Sequence, residues 1–154
     1  MSDPGEINAE PAGMSSRLRA YRILVVDDEE DIRDYITAVL QDAGAEVMEA
    51  CDGNEAVEQA RKHKPDLITL DLSMPGKDGV EAFNELRRTT ELSQTPICII
   101  TGHPEFRSVI YNRPLTPPEG YLNKPVTAEE VVETISRILG LREKRAARSN
   151  QKPP

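Results

Sequence analysis

The chain has 154 residues, enough for one domain with a proper core and too few for two full ones. With 38% hydrophobic and 30% charged residues it reads as a globular protein with solvated extras, and no apolar run approaches the length of a membrane span. A net charge of -8 argues against a general nucleic-acid binder, which needs a basic face.

Residues 1 to 19 are rich in Pro, Gly, Ser, Ala and Glu and lack apolar periodicity, so a flexible tail is expected there. They contain no apolar segment of the kind a secretory signal requires, and the cytoplasm is the expected location. "YRILVV" (21–26) is a short apolar run that predicts a buried strand. Ile32, Tyr35, Ile36, Val39 and Leu40 then recur at helical spacing, and Gly44 stops the helix. "AEVMEA" (45–50) alternates like a strand, "DG" (52–53) is a turn, and Ala56, Val57 and Ala60 share one helix face.

"DLITL" (66–70) predicts a second buried strand, and Val80, Phe83 and Leu86 mark a third helix. "PICII" (96–100) is another strand, followed by a weak helix near 105–112 and a short strand at 120–123. Val131, Val132, Ile135, Ile138 and Leu139 give the last helix. The basic run "REKRAARSNQKPP" is expected to extend that helix briefly and then fray. The domain is thus expected over 20–140, with a basic tail over 141–154 that leaves no room for an output domain.

Five strands alternating with helices predict a doubly wound α/β domain, its parallel sheet covered on both faces. Right-handed crossovers bring the C-terminal ends of all the strands to one edge, where ligands bind in such sheets. Strand one ends in Asp27 and Asp28, strand three in Asp71, strand four in Thr101 and strand five in Lys124. Three carboxylates gathered at one edge repel one another unless some take up protons or a cation joins them. Mg²⁺ suits such a set, because it uses one or two carboxylates and accepts phosphate oxygens. The carbonyl of Ser73 could complete the ligands. Lys124 supplies a point charge and Thr101 a hydroxyl donor, and together these would stabilise a phosphoryl group beside Asp71. Asp71 is also a candidate nucleophile. Taken singly, each residue has a plainer reading: Asp27 or Asp28 as a helix N-cap, Asp71 as a turn residue. The argument rests on their joint placement.

The segments "ILVVDDEEDIR", "LDLSMPGKDG", "IIT" and "YLNKPV", in this order and spacing, resemble a response-regulator receiver domain, the phosphoacceptor module of two-component signalling. The resemblance covers about residues 21 to 140. It implies a flavodoxin-like strand order 2-1-3-4-5, with Asp71 as phosphoacceptor in a phosphorelay. Asp27 and Asp28 would be the acidic pair for Mg²⁺, with Asp28 the more direct ligand, and Ser73 would add its carbonyl. Thr101 and Lys124 would bind the phosphoryl oxygens, and Tyr121 would be the switch aromatic. Met74-Pro75 and Gly79 would shape the loop under the site, and Pro125 would follow a cis peptide bond. The implied partners are a histidine kinase or histidine phosphotransfer protein and a downstream protein. The implied role is that of a switch that phosphorylates and dephosphorylates itself rather than a metabolic enzyme.

Three features stand apart from that pattern or beside it. Pro114, Pro117 and Pro118 predict a short or displaced fourth helix and a stiff loop before Gly120, which weakens the expected coupling of Thr101 to Tyr121. A phosphorylation-independent binding module with an uncoupled site is therefore the alternative function. A dehalogenase-type hydrolase fits less well, since the acidic pair and Asp71 follow different strands. Cys51 and Cys98 show no metal-ligand spacing, and in the implied strand order they lie three strand spacings apart, roughly 14 Å, against a disulfide limit of roughly 7 Å. His63 at a helix end receives no function, and His103 reads as a solvated loop residue near the site.

Overall fold

The computed structural model describes residues 16–74 and 78–151. Its strands are β1 (Arg22–Val26), β2 (Glu46–Ala50), β3 (Leu67–Leu70), β4 (Ile97–Thr101) and β5 (Gly120–Asn123). Its helices are α1 (Glu30–Asp42), α2 (Gly53–His63), α3 (Gly79–Arg88), α4 (Phe106–Tyr111) and α5 (Ala128–Gln151), with a 3-10 turn at Thr90–Leu92. The five strands are all parallel, in the order β2-β1-β3-β4-β5. This is the doubly wound, flavodoxin-like arrangement expected from the alternation and the resemblance.

Side chains alternate across a strand, so each strand serves two cores. Leu24, Val26, Ile68, Leu70, Ile97 and Ile99 pack on one side against α2, α3 and α4 through Ala56, Val57, Phe83, Leu86 and Ile110. Ile23, Val25, Leu67, Cys98 and Ile100 pack on the other side against α1 and α5 through Ile36, Leu40, Val131, Ile135 and Leu139. Tyr35 shares the helical spacing of α1 yet stays exposed, its hydroxyl donating to the Val126 carbonyl at 3.3 Å.

Local chemistry sets the helix ends. The side chains of Asp52 and Asp78 accept from the amides of Glu55 and Glu81, each at 2.8 Å, and so cap α2 and α3. Thr127 and Glu130 form a reciprocal capping box at the start of α5. Gly44 takes φ 98° just after α1, a conformation open to glycine.

Two expected boundaries shift. Leu18, assigned to the tail, is fully buried in the α1/α5 core, and its amide donates to the Ala43 carbonyl at 2.9 Å. The folded part therefore reaches back to Leu18, while residues 1–15 lie outside the described residues. The basic run after residue 140 continues α5 as helix to Gln151. It is tied to the sheet edge by a hydrogen bond from the Tyr21 hydroxyl to Glu143 and by the Arg142 guanidinium, which donates to the Asp66 carbonyl at 2.8 Å. Burial and Glu143 push the Tyr21 phenol up to about 12.

The fourth helix is short, as the prolines predict: α4 has six residues. The proline loop after it is held by Arg87 of α3. That buried guanidinium donates to the carbonyls of Thr95 (2.8 Å), Thr116 (2.9 Å) and Pro117 (2.9 Å) and to Glu119 Oε1 (2.7 Å). Glu119 in turn accepts from the Ile97 amide at 2.8 Å, so the loop is stapled to the start of β4.

Candidate functional site: an acidic cleft with one lysine

Backbone ladders carry the site residues. The Asp27 amide donates to Ala50 and the Asp71 amide to Val26, each at 3.1 Å, so the hydrogen bonding of β1 and β3 continues into both aspartates. The Lys124 amide likewise donates to Thr101 at 2.9 Å, extending the pairing of β4 and β5. Strand pairing thus fixes Asp27, Asp71, Thr101 and Lys124 at one edge of the sheet. The Lys124-Pro125 peptide is cis.

The charges meet as the strand ends imply. Lys124 Nζ lies 2.8 Å from Asp27 Oδ2, 3.6 Å from Asp71 Oδ2 and 3.8 Å from Glu29 Oε1. Carboxylate oxygens of Asp27, Asp28, Glu29 and Asp71 all lie within 4.8 Å of one another. Asp27 and Asp71 are buried, at 1% and 3% exposure, whereas Asp28 is half-buried and Glu29 exposed. Four carboxylates against one ammonium leave an excess of negative charge that a divalent cation would balance.

The titration behaviour follows from this crowding. Burial raises the Asp71 pKa, and Asp27 adds to that; Lys124, the Ser73 amide (3.2 Å from Asp71 Oδ1) and the Thr101 hydroxyl work in the opposite direction. Burial works against the Lys124 charge, but Asp27, Asp71 and Glu29 together outweigh it and hold the ammonium above its ordinary pKa. The Thr101 hydroxyl is fully buried and, among the described residues, has no partner in full hydrogen-bond geometry. It is near enough to favour the Asp71 carboxylate electrostatically yet has an unused donor, the kind of group an incoming phosphoryl oxygen satisfies.

Two glycines shape the cleft. A Cβ on Gly79 would lie 2.1 Å from the Asp71 carbonyl oxygen and 2.3 Å from Leu72 Cα, so only glycine lets α3 start against the backbone that carries Asp71. At Gly102, among the described residues, a Cβ would meet nothing closer than Lys124 Cβ at 4.0 Å, which leaves space on that side of the cleft. Pro75, which with Met74 was expected to shape this loop, lies outside the described residues.

Tyr121 stands half-buried beside the site, with its hydroxyl donating to the His103 carbonyl at 3.2 Å. The Arg107 guanidinium of α4 sits over both the Tyr111 ring (4.9 Å) and the Tyr121 ring (5.1 Å). His103 is exposed and pairs with Glu105 at 3.0 Å, in keeping with a solvated loop residue. Cys51 is exposed and Cys98 buried, and both are free thiols.

Sequence reasoning missed three residues. Glu29 joins the acidic cluster, and the run "DDEE" held the signal. Arg33 donates to the Asp27 carbonyl at 2.8 Å and pairs with Glu49, orienting the β1 end from α1. Arg107 stacks on Tyr121 with no sequence signal beyond its spacing of four from Tyr111.

Residues 23–136 match the model of the response regulator receiver domain. The chain belongs to this family. Two relatives in which nearly the whole length is matched are protein PilH of Pseudomonas aeruginosa and chemotaxis protein CheY of Bacillus subtilis. The first is 34% identical over 118 residues, covering 77% of this chain and 97% of PilH. The second is 34% identical over 121 residues, covering 78% of this chain and 98% of CheY. The receiver fold is also that of the chemotaxis response regulator CheY4 of Vibrio cholerae, with a TM-score of 0.70 and 34% identity over 77% of this chain and 98% of that one. NtrX from Brucella abortus superposes with a TM-score of 0.78 and 28% identity, but there the match covers 86% of this chain and 30% of the larger one. In this receiver domain the acidic cluster is one able to hold a metal ion. Among its described residues no helix is long and apolar enough to cross a membrane.

Proposed function

We propose that the chain is a phosphoacceptor of two-component signalling in which Asp71 takes a phosphoryl group from a phosphohistidine with the help of Mg²⁺. The observation that carries this reading is the buried Asp71 carboxylate facing an ammonium, an unused hydroxyl donor and three further carboxylates. Mg²⁺ would be held by Asp28 most directly, with Asp27, Asp71 and the Ser73 carbonyl, and would neutralise charge on the phosphoryl oxygens. Glu29 adds negative charge at the rim.

In the transfer, an Asp71 carboxylate oxygen forms a bond to phosphorus as the P–N bond to the donor imidazole breaks. The imidazole leaves neutral, its other nitrogen already protonated. Lys124 and the Thr101 hydroxyl bind the phosphoryl oxygens, positioning and neutralising rather than reacting. Asp27 accepts the Lys124 ammonium at 2.8 Å and holds it at the cleft. Water later attacks the acyl phosphate and returns free phosphate and the carboxylate.

Tyr121 would report the state of Thr101 to the face formed by α4, β5 and α5. Partners would be a histidine kinase or phosphotransfer protein upstream and a protein bound differently in the two states downstream, in a cytoplasmic setting. On this reading the chain is a switch and not a metabolic enzyme. A second reading, a binding module indifferent to phosphorylation, draws on the six-residue α4 and on the Arg87 staple that fixes the proline loop.

The test is the intact mass of the protein after incubation with acetyl phosphate, with and without Mg²⁺, beside Asp71→Asn. The expected result is a Mg²⁺-dependent gain of one phosphoryl group that the variant lacks. A gain that persists in Asp71→Asn, or none when the cognate kinase is supplied, refutes it. Equal partner affinity of the phosphorylated and free forms would favour the second reading.

A further inference from the structure

The C-terminal half of α5 lies across the edge of the sheet opposite Asp71. Between it and the proline loop is a cleft of about 420 Å³, whose lining includes Pro96, Ile138, Leu141, Arg142 and Arg145, and also Glu119, whose carboxylate is already engaged by Arg87 and the Ile97 amide. Ile138 and Pro96 are buried and give it an apolar floor, while Leu141 is 50% exposed at its mouth. An exposed leucine alone needs no explanation. Its surroundings do, because on a helix the neighbours of residue 141 are three, four and seven positions away. Besides Ile138 and Thr134 these neighbours are Arg137, Lys144, Arg145 and Arg148, and all four cations are exposed.

Charge sharpens the contrast. Over residues 137–148 there are five cations and one carboxylate, in a chain whose net charge is -8. The one carboxylate, Glu143, is engaged by the Tyr21 hydroxyl, and Arg142 leans on Asp66. Among the described residues no ion pair engages Lys144, Arg145 or Arg148. The helix that carries them is anchored by those contacts to Tyr21 and Asp66, so the patch is preformed rather than assembled on binding.

We propose that this cleft docks an acidic segment of a partner protein. One apolar side chain of the partner enters between Leu141, Ile138 and Pro96, and its carboxylates meet Arg145, Arg148 and Lys144. A second copy docking through this same face would bring like charge to like. Nucleic acid would use the cations but leave the apolar floor unfilled, and so would not depend on Leu141. An anionic membrane surface would meet a single exposed leucine, too little apolar area to insert. An acidic, partly apolar peptide uses both halves of the surface. The cleft is remote from Asp71, so docking there does not rest on the phosphoacceptor reading.

The full chain is titrated, by fluorescence anisotropy, into a labelled peptide of aspartate and glutamate with one central leucine. A second peptide has serine in place of that leucine, and a single-stranded oligonucleotide and phosphatidylserine vesicles serve as the other anions. The leucine peptide is expected to bind about tenfold more tightly than the serine peptide, the value of burying most of a leucine. Leu141→Ser should erase that difference. Arg145→Glu should weaken both peptides several-fold, with a loss that shrinks as salt rises. Asp71→Asn should bind as the unaltered chain does, which separates this test from that of the phosphoacceptor. Circular dichroism verifies that Leu141→Ser and Arg145→Glu, both at exposed positions, remain folded. Equal binding of the two peptides, or binding unmoved by Leu141→Ser, overturns the proposal. So does tighter binding of the oligonucleotide or the vesicles.

Discussion

Arg87→Ala should cost the fold about 3 kcal/mol, and the structure shows where each part arises. The Arg87 side chain is 1% exposed and makes four hydrogen bonds, one of them to the Glu119 carboxylate. Removing one partner of a buried ion pair typically costs about 3–5 kcal/mol, because the other charge and its acceptors are left unpaired. The lower figure applies here, since Glu119 is 29% exposed and the carbonyls of Thr116 and Pro117 lie in a loop that water can reach. The Thr95 carbonyl has less chance of recovery, because Thr95 is buried. Lost packing of the guanidinium over the Phe83 ring, 5.1 Å away, adds to the cost. Urea titration followed by far-ultraviolet dichroism measures the loss, and a thermal scan should show a drop of about 6–12 °C. Arg87→Lys keeps the charge without the fork, so it should fall between the two. Hydrogen exchange gives the local signature, with the Ile97 amide losing protection ahead of β1. A loss below about 1 kcal/mol for Arg87→Ala, well under the range for a buried pair, would refute the view that this staple holds the loop.

Other consequences concern the cleft itself. Asp71→Asn should stabilise the metal-free fold at neutral pH. Burial raises the Asp71 pKa, so as pH rises above 3.8 the unfolded chain gives up its proton first and the native state loses stability through the window up to the raised value. The variant's advantage should appear over that window, hold above it and vanish below it, as denaturant titrations at a series of pH values would show. Mg²⁺ should raise the melting temperature of the unaltered chain, with about 2.7 kcal/mol gained at a hundredfold excess over Kd. Much less should be gained by Asp28→Asn, and an equal gain would place the ion elsewhere. Gly79→Ala should cost at least the upper part of the roughly 1–3 kcal/mol typical of overpacking. Its new methyl would meet the backbone of Asp71 and Leu72, and urea titration would detect the loss.

Much of the fold was legible because buried strands and amphipathic helices leave strong patterns. "ILVV", "LITL" and "ICII" are apolar runs bounded by polar residues, and the polar residue that ends each one marks the edge where the site lies. The strand order came from likeness to a family, since periodicity carries no information on which strands are neighbours. Arg87 was invisible for a physical reason. In "NELRRTT" it looks like any basic residue in the last turn of a helix, and only the return of residues 116–119 from far along the chain buries it. Leu18 was hidden in the same way by a polar neighbourhood. The helix after residue 140 was underestimated because "LREKRAAR" has no apolar stripe, yet its residues are strong helix formers, and its anchors lie far upstream, Tyr21 122 positions before Glu143 and Asp66 76 positions before Arg142.

The proline loop has one more consequence, at the open sides of the sheet. A parallel sheet of five strands has two unpaired margins, and an unpaired margin invites another chain to add a strand. On one margin β2 presents Glu46 and Glu49, each exposed and facing an arginine of its own chain. On the other, β5 is four residues long, with Pro117 and Pro118 just before it and Pro125 just after. Prolines have no amide to offer, so a strand arriving at β5 finds a very short ladder and nothing to continue it in either direction. The same prolines that shorten the helix on the α4 face thus keep the molecule from growing by edge-to-edge addition.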